Sequence, residues 1–327
     1  MPVHVTALAQ VIGDAVAGVE LQAASDLHGI DGKLERSDYI ARATMPDVAM
    51  PLSFADHSRD SSGMLYVYPV VSRRAGGVSV GINLNPNNAC NWHCIYCQVP
   101  NLRRGGPPPI DLERMRRELE SMLDDIVDGD FLCLRVPEGQ RRLTDVAFSG
   151  NGEPTSAAEF PQAVDVAIDA LAHRNLLPAV KLRLITNGSL LDRRGVRAGI
   201  ERMGAADGEV WFKVDAGSEA GIARINGVRL KMASVERRLR KCAELCPTCV
   251  QTCLFSLDGQ PPSEKEVASL VDFLGRFRDC IRGVHLYGLA RPSAQAEAPR
   301  LAAVDTAWLE TIAARLKEKG LTAMVSP

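Results

Sequence analysis

The chain has 327 residues, 46% hydrophobic and 24% charged, which excludes disordered and fibrous classes and is enough for one large core or two ordinary ones. A formal net charge of −2 at pH 7 leaves no global positive field to drive nonspecific binding to nucleic acid or membrane. No apolar run approaches the ~20 residues needed to cross a bilayer, so no membrane partner is expected.

At the N-terminus MPVHVTALAQVIGDAVAGVE has no basic leader, and Asp14 interrupts its apolar stretch, so no secretory signal is expected. Nine cysteines, several at short spacings, then point to metal chemistry in a cytoplasmic protein rather than to a disulfide framework. Residues 1–75 read as an N-terminal extension, with a weakly amphipathic helix near 5–24 and the turn-rich SFADHSRDSSG after it. From residue 76 short β-rich runs alternate with helical patterns. The strand candidates are 78–84, 144–150, 181–186, 209–215, 249–255 and 283–289.

Between them Asp111 caps a helix with Leu112, Met115, Leu119, Met122 and Ile126 on one face. Phe160, Val164, Ile168 and Leu171 repeat the pattern, as do Val235, Leu239, Cys242 and Cys246. Ser263 and Glu266 form a capping box, and a final helix with Trp308, Ile312 and Leu316 stops at Gly320. About six strand–helix units in series imply an α/β fold with a parallel sheet, and a full barrel needs eight. The expectation is a partial (β/α)6 TIM-like barrel over residues 76–295. Residues 296–327 supply a C-terminal helix and short strand packing on it. Function should gather at the C-terminal ends of the strands.

Directly after the first of these strands comes NPNNACNWHCIYCQVP, with Cys90, Cys94 and Cys97 in a C-x3-C-x2-C arrangement. Three thiolates on one loop can bind three irons of a cubane cluster and leave the fourth iron open to an exogenous ligand. A structural zinc would want a fourth ligand, for which only His93 is close in sequence. This loop resembles the radical SAM superfamily, whose members bind a [4Fe–4S] cluster through this cysteine pattern and S-adenosylmethionine (SAM) at the unique iron. The resemblance implies an enzyme that reductively cleaves SAM to a 5′-deoxyadenosyl radical, with Cys90, Cys94 and Cys97 as the metal ligands and catalytic centre. It also places the aromatic residue before the last cysteine, Tyr96, beside the adenine.

The second strand ends in SGNGEPT, and its Gly150, Asn151, Gly152 and Glu153 are similar to the superfamily's GGEP motif, which holds the methionine ammonium; Asn151 replaces the second glycine. Glycines let backbone approach a ligand, and a carboxylate accepts bonds from an ammonium. The third strand ends in ITNGS, where Thr186 and Asn187 stand at the position that in related enzymes helps bind the cofactor's ribose or carboxylate. On the fourth, Lys213 and Asp215 share a face and either satisfy each other or reach the cofactor. Gln251 on the fifth strand, and Tyr287 and Arg291 on and after the sixth, are substrate-lining candidates; His285 reads as a core residue.

Cys242, Cys246, Cys249 and Cys253 mimic an auxiliary-cluster motif, C-x3-C-x2-C-x3-C. The first two fall on an apolar helix face, and the last two lie roughly 13 Å apart along a strand, too far to share one cluster. They read as core cysteines, with Cys253 nearest the chemistry. Strings such as SGNGEPT, FKVD and HLYGLARPS resemble the branch that includes wyosine-base synthases acting on tRNA. The chain holds no flavodoxin-like domain, so the resemblance implies an external one-electron donor of flavodoxin or ferredoxin type. The expected substrate is a small molecule or natural-product precursor. RNA stays open through the basic stretches at 72–74, 102–105 and 139–142. A different SAM C–S bond could also break, transferring a 3-amino-3-carboxypropyl group, and a structural iron–sulfur or zinc protein is the non-enzymatic alternative.

Overall fold

The computed structural model describes Leu52, residues 63–72 and residues 76–326; the helix expected near 5–24 lies outside the described residues. One sheet runs in the order β1 Val67–Ser72, β2 Gly77–Ile82, β3 Leu143–Phe148, β4 Lys181–Thr186, β5 Glu209–Lys213, β6 Thr248–Cys253, β7 Gly283–Tyr287 and β8 Ala323–Ser326. β1 is antiparallel to β2 and every other pairing is parallel. β1 and β8 are its two edges, so the sheet is an open, curled half-barrel. This is the α/β partial TIM-like barrel expected from the sequence. The six strands read from the sequence are β2–β7, each ending within two residues of its expected bounds.

Both ends of the sheet extend past the expected boundaries. β1 lies inside residues 1–75, read as an extension, yet all six of its residues pair with β2. Its run VYPVVS contains Pro69, and proline is tolerated here because β1 is an edge. At the other end β8 does not merely pack on the barrel: Ala323–Ser326 bonds in parallel to β7.

Seven longer helices follow the strands: α1 Leu112–Val127, α2 Phe160–His173, α3 Arg194–Ala205, α4 Glu219–Asn226, α5 Met232–Leu245, α6 Glu264–Gly275 and α7 Thr306–Glu318. Asp111 caps α1 by accepting from the Arg114 amide, and the Ser263–Glu266 capping box opens α6, both as the sequence predicts. Neither α3 nor α4 was foreseen. α4 is only eight residues long and ends at Gly227, whose φ of +64° is the left-handed geometry of a helix stop.

Strand alternation divides the sheet's two faces. Val80, Ile82, Val146, Phe148, Leu182, Leu184, Val210, Phe212, Val250 and Leu286 are almost wholly buried and join the core that includes the helices' apolar stripes. Each such side chain contributes about 1.5–3 kcal/mol by leaving water. The alternate positions Ser79, Asp145, Ala147, Arg183, Ile185, Trp211, Lys213, Cys253 and Tyr287 line a cavity of about 340 Å³. One glycine of this face has a visible purpose: a Cβ on Gly81 would lie 2.2 Å from the Tyr68 ring, so its absence lets that ring cross the sheet.

Candidate functional site

Cys90, Cys94 and Cys97 line this cavity on the loop that leaves β2, each of them half-buried. The loop is held by backbone bonds rather than by its thiols. His93 N donates to Asn226 O (3.1 Å) and Ile95 N to Ile225 O (2.9 Å), so the last turn of α4 supports one side. On the other side Ser293 Oγ donates to Ile95 O (2.8 Å), Ala294 N to Cys97 O (2.9 Å) and Gln295 Nε2 to Val99 O (2.9 Å). Burial raises the Cys90 thiol to about 11 and the Cys94 thiol to about 12. Asn226 Nδ2 points at Cys94 Sγ from 3.3 Å.

The turn after β3 lies against this loop. A Cβ on Gly152 would sit 2.0 Å from the Ala89 carbonyl and 2.7 Å from Asn85 Cγ; Gly150, at φ +136°, would meet Asn83 Oδ1 at 2.5 Å. Glycine is therefore required here for contact with the cysteine loop. Gly152→Ala should displace the peptide before Cys90, costing about 1–3 kcal/mol and reducing iron uptake. Gly139→Ala is the control, because a Cβ there meets nothing within 4 Å. Thermal unfolding and iron content of the two variants read both effects. Asn151 is tied to Asn88 through its Nδ2 (2.7 Å), and its Oδ1 is buried without a partner among the described residues.

Glu153 is 2% exposed and its carboxylate accepts from Thr155 Oγ1 (2.6 Å), Thr186 Oγ1 (2.6 Å) and Asn187 N (2.7 Å). Burial still raises its carboxyl above the ordinary range, so its charge is not fully compensated by these donors. Asn187 Nδ2 donates to Asn91 Oδ1 (2.9 Å), closing a network across the turns after β3 and β4 and the cysteine loop.

Lys213 and Asp215 meet, with Nζ 3.7 Å from Oδ1. Lys213 also bonds the Tyr287 hydroxyl, and its ammonium lies 5.1 Å from the Tyr96 ring centre and 5.0 Å from that of Tyr287. Burial alone would lower the lysine, but the Asp215 carboxylate and Tyr287 outweigh it and hold it above its ordinary value. Asp215, 3% exposed, accepts from Tyr96 OH (2.5 Å), Asn226 Nδ2 (2.7 Å) and Cys253 N (2.9 Å). It thus stands behind Lys213 rather than among the residues that line the main cavity.

The other expected positions divide. Tyr96, Tyr287 and Arg291 line the cavity, and Arg291 is also tied to the cysteine loop, its Nε donating to Gln98 Oε1 at 3.0 Å. Gln251 does not line it: in register with Lys213 and His285, it is 1% exposed, and its Nε2 has no partner among the described residues. Strand parity gave the correct face but not the neighbours that cover it. Sequence reasoning also missed Asn83, Asn85 and Asn91, whose cluster of amides in NLNPNNACN was the available signal, and Asn226, which no such cluster marks. It missed a charged inner layer as well. Arg183 bonds Asp145 and Glu209 (3.2 Å for the latter) and lies 4.6 Å over the Trp211 ring, which stacks at 5.0 Å on His285.

The second cysteine set packs as expected from its spacing. Cys242, Cys246, Cys249 and Cys253 are all buried, with Cys249 Sγ 3.0 Å from Glu209 Oε1 and Cys253 on the cavity wall. Cys249→Ala should leave the iron content of the protein unchanged, and a loss of about four irons per chain would contradict this packing role. Among the described residues no three His, Cys, Asp or Glu side chains converge on a point where one metal ion could sit. A cubane takes each thiolate on a different iron, and three half-buried cysteines on one cavity wall suit such a donor set.

No described helix is long and apolar enough to cross a membrane. Among curated proteins the chain is 30% identical over 158 residues to UPF0026 protein MJ1312 of Methanocaldococcus jannaschii, an alignment covering 48% of this chain and 42% of that one. It is 25% identical over 133 residues to a GTPase Obg of Brachyspira hyodysenteriae, covering 40% of this chain and 16% of that one. The chain thus spans less than half the length of either. A radical SAM methyltransferase from Sphaerobacter thermophilus shares the fold, with a TM-score of 0.53 at 13% identity over 80% of this chain and 68% of its own. The family model described as the Radical SAM superfamily matches residues 84–274, more than half of the chain. With its cysteine loop on the wall of an α/β half-barrel, this chain belongs to the radical SAM superfamily, enzymes whose cofactors are a [4Fe–4S] cluster and SAM.

Proposed function

We propose that Cys90, Cys94 and Cys97 hold the [4Fe–4S] cluster and that the enzyme reductively cleaves SAM to act on a small molecule bound in the half-barrel. One observation carries the reading. The three cysteines, the Gly150–Glu153 turn, Thr186 and Asn187, and Lys213 all line a single cavity at the C-terminal ends of the parallel strands. When bound, cluster and SAM supply a 5′-deoxyadenosyl radical. The protein groups position it. Glu153, whose buried charge its own donors do not fully compensate, suits the methionine ammonium. Thr186 and Asn187 border the ribose or carboxylate side, and Tyr96 presents its ring toward the adenine. The Lys213 ammonium, fixed by Asp215 and two tyrosine rings, suits the carboxylate. Tyr287 and Arg291 face the substrate side.

A small-molecule substrate is favoured over RNA by the basic stretch at 139–142. Arg141 bonds the carbonyls of Val136 and Cys133, and Arg142 that of Gly76, so both guanidinium groups serve the protein's own backbone. The electron comes from an external flavodoxin- or ferredoxin-type donor, and a cytoplasmic setting suits that chemistry.

Anaerobic reconstitution, then reduction in the presence of SAM and mass spectrometry of the nucleosides, tests the proposal. Release of 5′-deoxyadenosine is expected. Methylthioadenosine would indicate aminocarboxypropyl transfer instead, and failure to take up iron would overturn the assignment of the three cysteines.

A further inference from the structure

We infer that the rim of arginines beside the cysteine loop is the docking surface for an acidic one-electron donor protein. The inference rests on the proposed cluster site and adds where its electron enters. A two-residue parallel ladder pairs Ala89 with Arg103 and Cys90 with Arg104. It is closed by bonds from Arg103 N to Asn88 O (2.9 Å) and from Gly105 N to Cys90 O (3.1 Å). Two arginines are thereby seated one inter-strand spacing, about 4.8 Å, from the backbone of the first cysteine. The Arg104 guanidinium bonds Asn91 O and Gly227 O, fastening the end of α4 to the same loop. Arg229 follows Gly227 by two residues in the chain and is exposed.

Arg103 and Arg229 are exposed and make no ion pair among the described residues. The segments that carry them are free of acid: residues 84–110 and 226–235 contain no Asp or Glu. The neighbouring Lys231 is different, since it pairs with Glu219 at 3.1 Å. The chain as a whole carries a net charge of −2, so this rim is a local departure and not the by-product of a basic protein.

Its size and place favour an electron donor. Electron-transfer partners meet over small, weak interfaces and are steered by complementary charge, which a few uncompensated arginines can supply. A protein that binds nucleic acid through six to ten phosphate contacts uses at least about twice as many cations as the three arginines of this rim. All three cluster cysteines are half-buried, so a donor seated on the rim comes close to the metal. In the step itself one electron leaves the donor, which is oxidised by one, and enters the cluster, which is reduced by one. No bond is made or broken.

The test compares the wild-type protein with the double variant Arg103→Glu/Arg229→Glu, using a reduced acidic flavodoxin as the probe. Iron content is measured first, and flavodoxin binding is measured by calorimetry whether or not iron is loaded. The variant should bind flavodoxin at least about tenfold more weakly at low salt, with most of the wild-type salt dependence gone. Its iron content, and cluster reduction by a small neutral reductant such as photoreduced deazaflavin, should match wild type, while stopped-flow reduction by flavodoxin slows in step with binding. Equal flavodoxin binding in the two proteins would overturn the inference, even with the cluster intact. So would loss of tRNA binding in the variant alongside unchanged flavodoxin binding, which would assign the rim to RNA. Absence of iron from the wild-type protein would strike the proposed cluster site instead, leaving the calorimetry to judge the docking surface.

Discussion

Alanine at any one of Cys90, Cys94 or Cys97 is expected to abolish iron loading and SAM cleavage together while leaving the fold in place. The separation of the two outcomes follows from how the loop is built. Its position depends on backbone bonds to Asn226, Ile225, Ser293, Ala294 and Gln295, none of which uses a thiol. All three side chains are half-buried at the cavity wall, so removing one sulfur opens little core volume. Iron uptake is different in kind. A cubane held by three thiolates from this motif has no spare cysteine in the loop to replace one that is removed. Wild-type protein should therefore carry about four irons per chain after reconstitution, and each variant close to none. Thermal unfolding of the cluster-free proteins should agree within about 1 kcal/mol, since only weak sulfur contacts such as that of Asn226 with Cys94 are lost. Retained SAM cleavage in any of the three variants would remove that cysteine from the ligand set. Stoichiometric zinc in place of iron, kept through reconstitution, would support the structural-zinc alternative.

The sheet was legible because its strands are short, β-branched and separated by helices with capped, one-faced patterns. Every parallel strand of the inner six was marked by its own apolar run, and the turns after β2, β3 and β4 by Gly and Asn clusters at the strands' C-terminal ends. The edges were less legible. β1 is spoken against by Pro69, and its membership depends on pairing with β2, a partner that local sequence does not name. α4 was missed because eight residues of SEAGIARING carry too few apolar positions to set a period. Yet α4 supports the cysteine loop and delivers Asn226 to Asp215 and Cys94. Within the site, residue types and strand parity placed the cysteines, Glu153, Thr186 and Lys213 on one face. What they could not supply was layering. Gln251 has the right parity and is covered, while Asp215 is engaged by Tyr96, Asn226 and Cys253 and stands off the main cavity behind Lys213. Such facts depend on which long-range neighbour arrives first at a given face.

The second large effect is expected at Asp215, and it is an effect on stability. Asp215→Ala removes at one stroke the acceptor for Tyr96 OH, Asn226 Nδ2 and the Cys253 amide, and the carboxylate that faces the Lys213 ammonium. Asp215 is 3% exposed and water cannot easily replace it, so a loss of about 3–5 kcal/mol in unfolding free energy is expected. Lys213, whose side chain is 16% exposed toward the cavity, offers a way to separate the charge from the hydrogen bonds. In Lys213→Met/Asp215→Ala the stranded ammonium is gone and the three donors remain unsatisfied. The double variant should therefore recover about 1–3 kcal/mol relative to Asp215→Ala, the coupling expected of a buried contact pair. pH supplies an independent check. The lysine is held above its ordinary value, so the pair stabilises the fold fully at neutral pH. That contribution fades only as pH rises through the raised value, well into the alkaline range. Asp215→Ala removes the main raising influence on the lysine, so the part of the alkaline loss that depends on this pair should shrink relative to wild type. Urea unfolding of the cluster-free proteins at neutral and alkaline pH reads each quantity. An Asp215→Ala variant within about 1 kcal/mol of wild type would show that the groups around it repack without the carboxylate.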